Sequence, residues 1–401
     1  MELNFENNFK LTTLSLRICR LHPQIDLKNN KRYVLQLILV FFVSCCILIA
    51  MFGNACLNLK QNNFTEFCKN MSLVLLGSVT LVQLCILLYH KCSLCELIEQ
   101  TNLDYVSSKK LLPEEQIVIM KYIKKGANVS KHWFTLLAAV PVIFVMKSII
   151  LMIYYYCIDD FRLVQVHEMV YPKIIEDIKN NLIIYLTIFA QLTFNISFVC
   201  LMYLAYLPLG PIFMLHMCGQ LEIVRMRIDR LYDELDNAVI NEKIKNIIKK
   251  LQNIYRPPIR DNLHFVIRIL FVTYHKPDSF LSLCFVIRRL MFQAAKHGEL
   301  NVEFWTFIVG CLLVSSVSCY NSDLLQDKGE AVRMSLYSCG WECYYDRKIR
   351  TSLIILMQNA LRPTVVRSTF RTLTLETLAG VSIRSNFSDT FNIVNRTRVS
   401  A

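Results

Sequence analysis

The stretch Tyr33–Leu57 reads YVLQLILVFFVSCCILIAMFGNACL and contains no charged residue. A helix needs about 20 mostly apolar residues to cross the hydrocarbon core of a bilayer, and this run is long enough. Three further runs meet the same requirement, namely Met71–Tyr89, Trp133–Cys157 and Leu182–Leu207. Trp133 begins the third run, where interfacial aromatic residues are expected. Because polar segments separate the four runs, they predict a chain that crosses a membrane several times.

The composition favours a membrane protein over a soluble enzyme. Apolar types make up 54% of the 401 residues and charged types 19%, against about 25% charged in an ordinary soluble domain. The formal net charge of +13 fits either nucleic-acid binding or the cytoplasmic loops of a membrane protein. The apolar runs favour the second explanation, so we expect membrane lipid as a partner and no nucleic acid.

No catalytic or metal-binding motif stands out. The sequence has no HExxH, GxSxG or Walker A pattern, so we expect neither an enzyme nor a cofactor. Most of the 16 cysteines lie in apolar runs, where cysteine usually acts as a small hydrophobic residue. The one CxxC pair, Cys92 and Cys95, has no second pair at zinc spacing, although a structural zinc site needs four ligands. We therefore predict no metal site.

Basic residues alternate between rich and poor segments along the chain. The N-terminal arm, the second loop and the segment after the fourth run are rich in Lys and Arg, whereas the first and third loops are not. Cytoplasmic loops carry the excess of Lys and Arg, so we predict a cytoplasmic N-terminus, with the first and third loops outside. The sequon Asn63-Phe64-Thr65 lies in the first loop, and Asn63 is the predicted glycosylation site.

The second half of the chain predicts helices of mixed character. Gly219–Tyr255 has apolar residues at helical spacing between charges, which predicts one long amphipathic helix outside the bilayer. Phe304–Tyr320 is a short apolar span, while Asn262–Phe292 is apolar but interrupted around Pro277.

The stretch SLYSCGWECYYDRKIR, Ser335–Arg350, is rich in aromatic and basic residues and lies between two apolar segments. Cys339 and Cys343 are four residues apart, which predicts that they share one side of a helix. We interpret the stretch as a cytoplasmic hinge, with Trp341 as an interfacial anchor.

Three motifs resemble the insect odorant receptor family. LHMCGQLEIVRMRI (Leu215–Ile228) is similar to the segment that follows the fourth helix of that family. AVRMSLYSCGWECYYDRKIRTSLIILMQNALRP (Ala331–Pro363) resembles the signature between its last two helices, and TFRTLTLETLAGV followed by FSDTFNIV resembles its closing helix. The sequence of the final segment resembles that of lepidopteran receptors, in particular their pheromone-receptor branch.

The resemblance implies an all-α, seven-transmembrane helical bundle with a cytoplasmic N-terminus, an extracellular C-terminus and a cytoplasmic helical anchor. It implies a ligand-binding subunit of an odorant-gated non-selective cation channel in the plasma membrane of olfactory sensory neurons. The implied partners are a co-receptor subunit, in a hetero-tetramer, and a small volatile odorant or pheromone.

The predicted division of the chain into segments is a cytoplasmic arm (1–32), helices 1–4 with the odorant-binding outer half (33–207), a cytoplasmic helical segment (208–261), helices 5 and 6 with an irregular helix 5 (262–320), a cytoplasmic anchor and hinge (321–371), and a pore-lining helix 7 with the C-terminus (372–401).

Two sets of residues are predicted to carry this function. Volatile ligands offer mainly apolar area, so the pocket should be apolar and aromatic; its predicted residues are Met146, Ile149, Ile150, Ile153, Tyr154, Tyr185, Phe189 and Leu192. A hydrated pore with a hydrophobic constriction combines small polar and apolar groups; its predicted residues are Phe387, Ser388, Phe391 and Ile393.

Three alternatives stay open. A gustatory receptor of the same channel superfamily is the nearest one. A G-protein-coupled receptor would need the opposite orientation, which the loop charges argue against. A membrane transporter has no paired acidic residues to support it.

Overall fold

The computed structural model describes residues 4–19, 21–22, 31–167, 181–233, 236–255, 302–343 and 346–360. Within these ranges the chain forms helices and no strand. In chain order they are α1 (Phe5–Asn8), α2 (Lys10–Ile18), α3 (Lys31–Lys60), α4 (Phe64–Tyr89), α5 (Lys91–Ser108), α6 (Pro113–Cys157), α7 (Leu182–Tyr206), α8 (Leu209–Asp229), α9 (Asn237–Tyr255), α10 (Val302–Ser338) and α11 (Arg347–Ala360), with a 3-10 turn at Trp341–Cys343. The predicted irregular fifth helix and the predicted seventh helix lie outside the described residues.

Several described helices are long and apolar enough to cross a membrane. Ile38–Lys60, Pro113–Cys157 and Leu182–Asp229 each qualify by length and composition. The helix pair Leu73–Tyr89 and Lys91–Ser108 is bent by 69° and qualifies as one further span if taken together. In the part of the chain that the structure describes, the prediction of an all-helical membrane bundle is confirmed.

Local sequence signals fix where three of these helices begin. Pro113 occupies the first turn of α6, where its missing N–H costs nothing, and Glu114 and Glu115 follow it next to the positive end of the helix dipole. The side chain of Asn63 accepts a hydrogen bond from the Glu66 N–H at the start of α4. The side chain of Asn181 accepts one from the Ile183 N–H at the start of α7. Asparagine at these positions satisfies backbone donors that the helix leaves unpaired.

Helix α8 forms the centre of the core. Most of its length is buried, and α6, α9 and α10 all pack against it. The N-terminal helices close one side, where the Phe5 ring stacks on Phe213 with 5.8 Å between centroids. Gly126 of α6 allows the Phe9 ring to approach, because a Cβ at that glycine would lie 3.0 Å from the ring.

The prediction of one amphipathic helix over Gly219–Tyr255 is wrong. The structure has two helices instead, α8 and α9, with a break after Asp229. The second begins where the Asp236 side chain accepts a hydrogen bond from the Ala238 N–H at 2.9 Å, and such a cap favours a new helix start. The first begins ten residues earlier than predicted, at Leu209, and is buried rather than peripheral.

Two further expectations are corrected by helix ends. Trp133 does not begin its helix, because α6 begins at Pro113, and the indole is buried against the protein with 6% of its surface exposed. Cys339 and Cys343 do not share a helix face, because α10 ends at Ser338. Gly340 follows with a φ of +81°, a left-handed conformation that glycine adopts without steric cost.

Candidate functional site

A cavity of about 480 Å³ lies inside the bundle, between α3, α4, α6, α7 and α10. Its wall is almost entirely aliphatic and aromatic, and includes Leu48, Met51, Leu76, Val79, Leu137, Val140, Phe144, Leu192, Ile196, Val199 and Val314. Its volume falls within the range of about 300–1,000 Å³ that is typical of small-molecule sites. Such a wall favours a ligand whose binding free energy comes from buried apolar surface.

Polar side chains meet at one end of the cavity. His167 lines it, and its Nε2 donates to the Oδ1 of Asn70 at 3.0 Å. Asn54 donates to the same oxygen at 3.2 Å, and Asn58 donates to Asn54 at 3.5 Å. All four side chains are buried, so the hydrogen bonds offset the desolvation that burial costs them. His167 is the member of this cluster that lines the cavity, and it gives one end of the cavity a polar group that can orient a ligand.

The segment that carries His167 is held by two long-range hydrogen bonds. The hydroxyl of Tyr185 on α7 donates to the Val164 carbonyl at 2.9 Å. The hydroxyl of Ser148 on α6 donates to the Gln165 carbonyl at 3.1 Å. Val166 is buried against Phe144 and Leu192 between these two bonds. His167 is therefore positioned by α6 and α7 together, although it lies on neither helix.

The opposite end of the cavity is lined by larger side chains with polar atoms. Trp133, Tyr203 and Tyr206 all contribute to the wall there, together with Gln83. The Tyr203 and Tyr206 rings lie 5.2 Å apart, and the Tyr203 hydroxyl donates to the Leu76 carbonyl at 3.4 Å. A ligand can therefore find hydrogen-bonding groups at both ends and apolar contact between them.

The predicted ligand-binding residues fall in different places. Leu192 lines the cavity. Tyr185 is buried beside it but points its hydroxyl at the Val164 carbonyl, and the Phe189 ring packs 5.8 Å from the Tyr185 ring. The predicted residues of α6 are all exposed and stand on its outward face, namely Met146, Ile149, Ile150, Ile153 and Tyr154. Their contact with an odorant stays a prediction, and the predicted pore residues lie outside the described part of the chain.

Sequence reasoning missed the residues that give the cavity its polar ends. Gln83 and Asn54 could have been found, because a polar residue within an apolar span is a functional candidate by default. His167 could not, because it lies in a loop where a histidine is unremarkable. The face of α6 that lines the cavity was also missed, since α6 is apolar on both faces.

The fold and the cavity define a class, that of multi-pass membrane proteins built as a helical bundle around an apolar cavity. The family model "7tm Odorant receptor" matches residues 63–382. This chain therefore belongs to the odorant receptor family, which is not a family of enzymes. A search of curated protein sequences gave no match.

Two solved structures resemble the chain over nearly its whole length. The structure of the insect olfactory receptor OR5 from Machilis hrabei has a TM-score of 0.70 and 15% identity, and the match covers 97% of each chain. The same receptor in complex with eugenol has a TM-score of 0.64 and 15% identity, covering 95% of this chain and 96% of that one. At this identity the likeness establishes the fold. The predicted lepidopteran origin is not tested by these matches.

Proposed function

We propose that this chain is the ligand-binding subunit of a heteromeric, odorant-gated, non-selective cation channel. The observation that supports the proposal most directly is the 480 Å³ apolar cavity with a polar group at each end, in a chain of the odorant receptor family. A volatile odorant has the matching chemistry, a small apolar body with one or two polar atoms. Eugenol, bound by the related receptor, is a molecule of this kind.

The proposal includes the assembly and its location. The chain would pair with a co-receptor subunit in a hetero-tetramer in the plasma membrane of olfactory sensory neurons. The N-terminus would be cytoplasmic and the C-terminus extracellular, with seven spans in all. Residues 372–401 would supply the pore lining through Phe387, Ser388, Phe391 and Ile393. The exposed apolar residues of α6, such as Ile150 at 57% and Ile153 at 58% exposure, would contact lipid if they do not contact ligand.

Expression with and without the co-receptor tests the proposal. Cells that carry both subunits should show an inward cation current when a panel of volatiles that includes eugenol is applied. Cells that carry this chain alone should show little or none, because the pore would be heteromeric. Substitution of Ser388 should alter the ion selectivity of that current.

Two outcomes would contradict this reading. A response that requires a G protein would indicate the opposite orientation and a different receptor class. Responses only to non-volatile tastants would favour the gustatory alternative.

Glycosylation tests the predicted orientation. Asn63 is exposed in the turn between α3 and α4, whereas Asn70 of the second sequon is fully buried and hydrogen-bonded. Of these two sequons we expect only the first to carry a glycan, on Asn63, because an oligosaccharide cannot be attached to a buried amide. Thr65→Ala should remove the part of the glycosidase-sensitive mobility shift that comes from Asn63, and Asn70→Gln should leave the shift unchanged.

Asn63→Asp is the matched control for stability. It removes the acceptor amide but keeps an oxygen that can cap α4. An unglycosylated protein at the cell surface would argue that the α3–α4 turn faces the cytoplasm.

A further inference from the structure

A second cavity, of about 240 Å³, lies between α5, α8 and α9, away from the odorant cavity. Unlike the first, its wall combines apolar side chains with polar ones from all three helices. Gln100 and Asp104 come from α5, Gln220 comes from α8, and Lys250 and Asn253 come from α9. At about 30 Å³ per water molecule, the volume would hold several waters or one small solute.

Gln220 is the first sign that this cavity takes a polar ligand. The residue is 2% exposed, and its Oε1 has no hydrogen-bond partner among the described residues. A buried amide without partners costs about 1–3 kcal/mol, so a protein normally satisfies it with a neighbour, a water or a ligand. Because the amide oxygen and nitrogen have nearly the same shape, the group can turn to present either an acceptor or a donor to the cavity.

Lys250 is the second sign. Its ammonium group forms neither a hydrogen bond nor an ion pair with any residue that the structure describes. Burial lowers the pKa of Lys250, the carboxylates of Asp104 and Glu115 oppose that effect, and the Arg227 cation adds to it. A half-buried ammonium at a cavity wall can donate strong, charge-assisted hydrogen bonds to an anionic ligand.

The remaining charged groups of this cavity are already engaged. The His216 Nε2 donates to the Asp104 Oδ2 at 3.0 Å. Arg227, which is held by Glu115 through two hydrogen bonds, does not line the cavity. The hydroxyls of Thr101 and Ser107 donate to backbone carbonyls of their own helix. The groups left to contact a solute are therefore Lys250 and the amides of Gln100, Gln220 and Asn253.

We propose that this cavity binds a phosphate group, either as the free ion or as a monoester. The four available side chains come from three different helices that line the cavity. Donors that reach a ligand from three helices suit a tetrahedral oxyanion better than a planar carboxylate, which presents two oxygens in one plane. A phosphate held there would connect α5 and α8 to α9, and so stabilise their packing. The proposal does not depend on the odorant function.

Thermal unfolding of the full-length receptor in phosphatidylcholine nanodiscs tests the proposal. Inorganic phosphate should raise the midpoint saturably, with potassium chloride at equal ionic strength as the reference. Lys250→Met should weaken binding at least about tenfold, the usual loss when a charged hydrogen bond is removed, and Lys250→Arg should retain it. Lys249→Met is the matched control, because Lys249 is the adjacent lysine, is exposed and does not line the cavity.

A second preparation separates the two sources of phosphate. Nanodiscs that contain phosphatidic acid present the monoester on a lipid. Stabilisation that needs Lys250 and occurs only in those nanodiscs assigns the cavity to a lipid headgroup, and stabilisation by free phosphate assigns it to a soluble ligand. Equal stabilisation of the wild type, Lys249→Met and Lys250→Met, or none in either preparation, would overturn the proposal. If Lys250→Met does not fold, Gln220→Met replaces it with the same expected loss.

Discussion

Arg227→Met is expected to destabilise the receptor by about 3–5 kcal/mol, the usual result when one partner of a buried ion pair is removed. Arg227 on α8 donates two hydrogen bonds to the Glu115 carboxylate, from Nε to Oε1 at 2.6 Å and from Nη2 to Oε2 at 3.0 Å. The Glu115 side chain is only 4% exposed, whereas that of Arg227 is 30% exposed, so the variant would leave the buried member of the pair, a carboxylate, without its cation. A loss of this size shifts the folded-to-unfolded ratio by about two to four powers of ten. Surface expression and the thermal unfolding midpoint of the purified chain should both fall sharply.

Arg230→Met provides the comparison for that effect. Arg230, the residue directly after α8, pairs with Glu114. Both of these side chains are exposed, and exposed pairs contribute about 0–1 kcal/mol. The double variant Glu115→Leu with Arg227→Leu should recover most of the lost stability, because an apolar pair often replaces a buried ion pair at little cost. If Arg227→Met unfolds at the same temperature as Arg230→Met, the buried pair does not stabilise the bundle.

Ion pairs also explain why the sequence analysis predicted α8 incorrectly. Charged residues such as Glu222 and Arg227, between apolar residues, indicated the polar positions of an amphipathic helix in contact with water. In the structure they pair with other helices instead, Glu222 with Lys328 at 2.6 Å and Arg227 with Glu115. Periodicity shows which residues share a face, but it does not show whether a partner from elsewhere in the chain covers that face. The uninterrupted spans carry no such ambiguity, and α3, α4 and α7 lie where their apolar runs predicted.

The candidate site was harder to predict, for a related reason. Both faces of α6 are apolar, so composition does not separate the face that lines the cavity from the outward face. Met146 and Val140 are equally suitable by residue type, yet only Val140 lines the cavity. His167 reaches the cavity through tertiary hydrogen bonds from Tyr185 and Ser148 to its segment. Its position depends on packing that no local pattern encodes.

Val199→Trp is expected to abolish or strongly reduce the odorant-evoked current while the protein still reaches the cell surface. Val199 lines the cavity from α7, and an indole there would occupy space that a ligand needs. A ligand gains about 25 cal/mol for each Å² of apolar surface it buries, so excluding it from much of the cavity removes most of its binding free energy. Filling an existing cavity costs the fold little, in contrast to overpacking a dense core. Concentration–response curves for the most active volatile, together with surface labelling, measure both quantities.

Leu186→Trp is the matched control, because Leu186 stands on the same helix but is 54% exposed and does not line the cavity. It should leave the current unchanged.

Met146→Ala distinguishes a ligand site inside the cavity from one on the outward face of α6, since the Met146 side chain is 47% exposed on that outward face. A changed ligand tuning in Met146→Ala, with a normal response in Val199→Trp, would place the odorant against the outward face of α6 and not inside the bundle. The opposite pattern is the expected one, because in the described part of the chain the cavity offers a small apolar molecule contacts from five helices, whereas the outward face of α6 offers contacts from one.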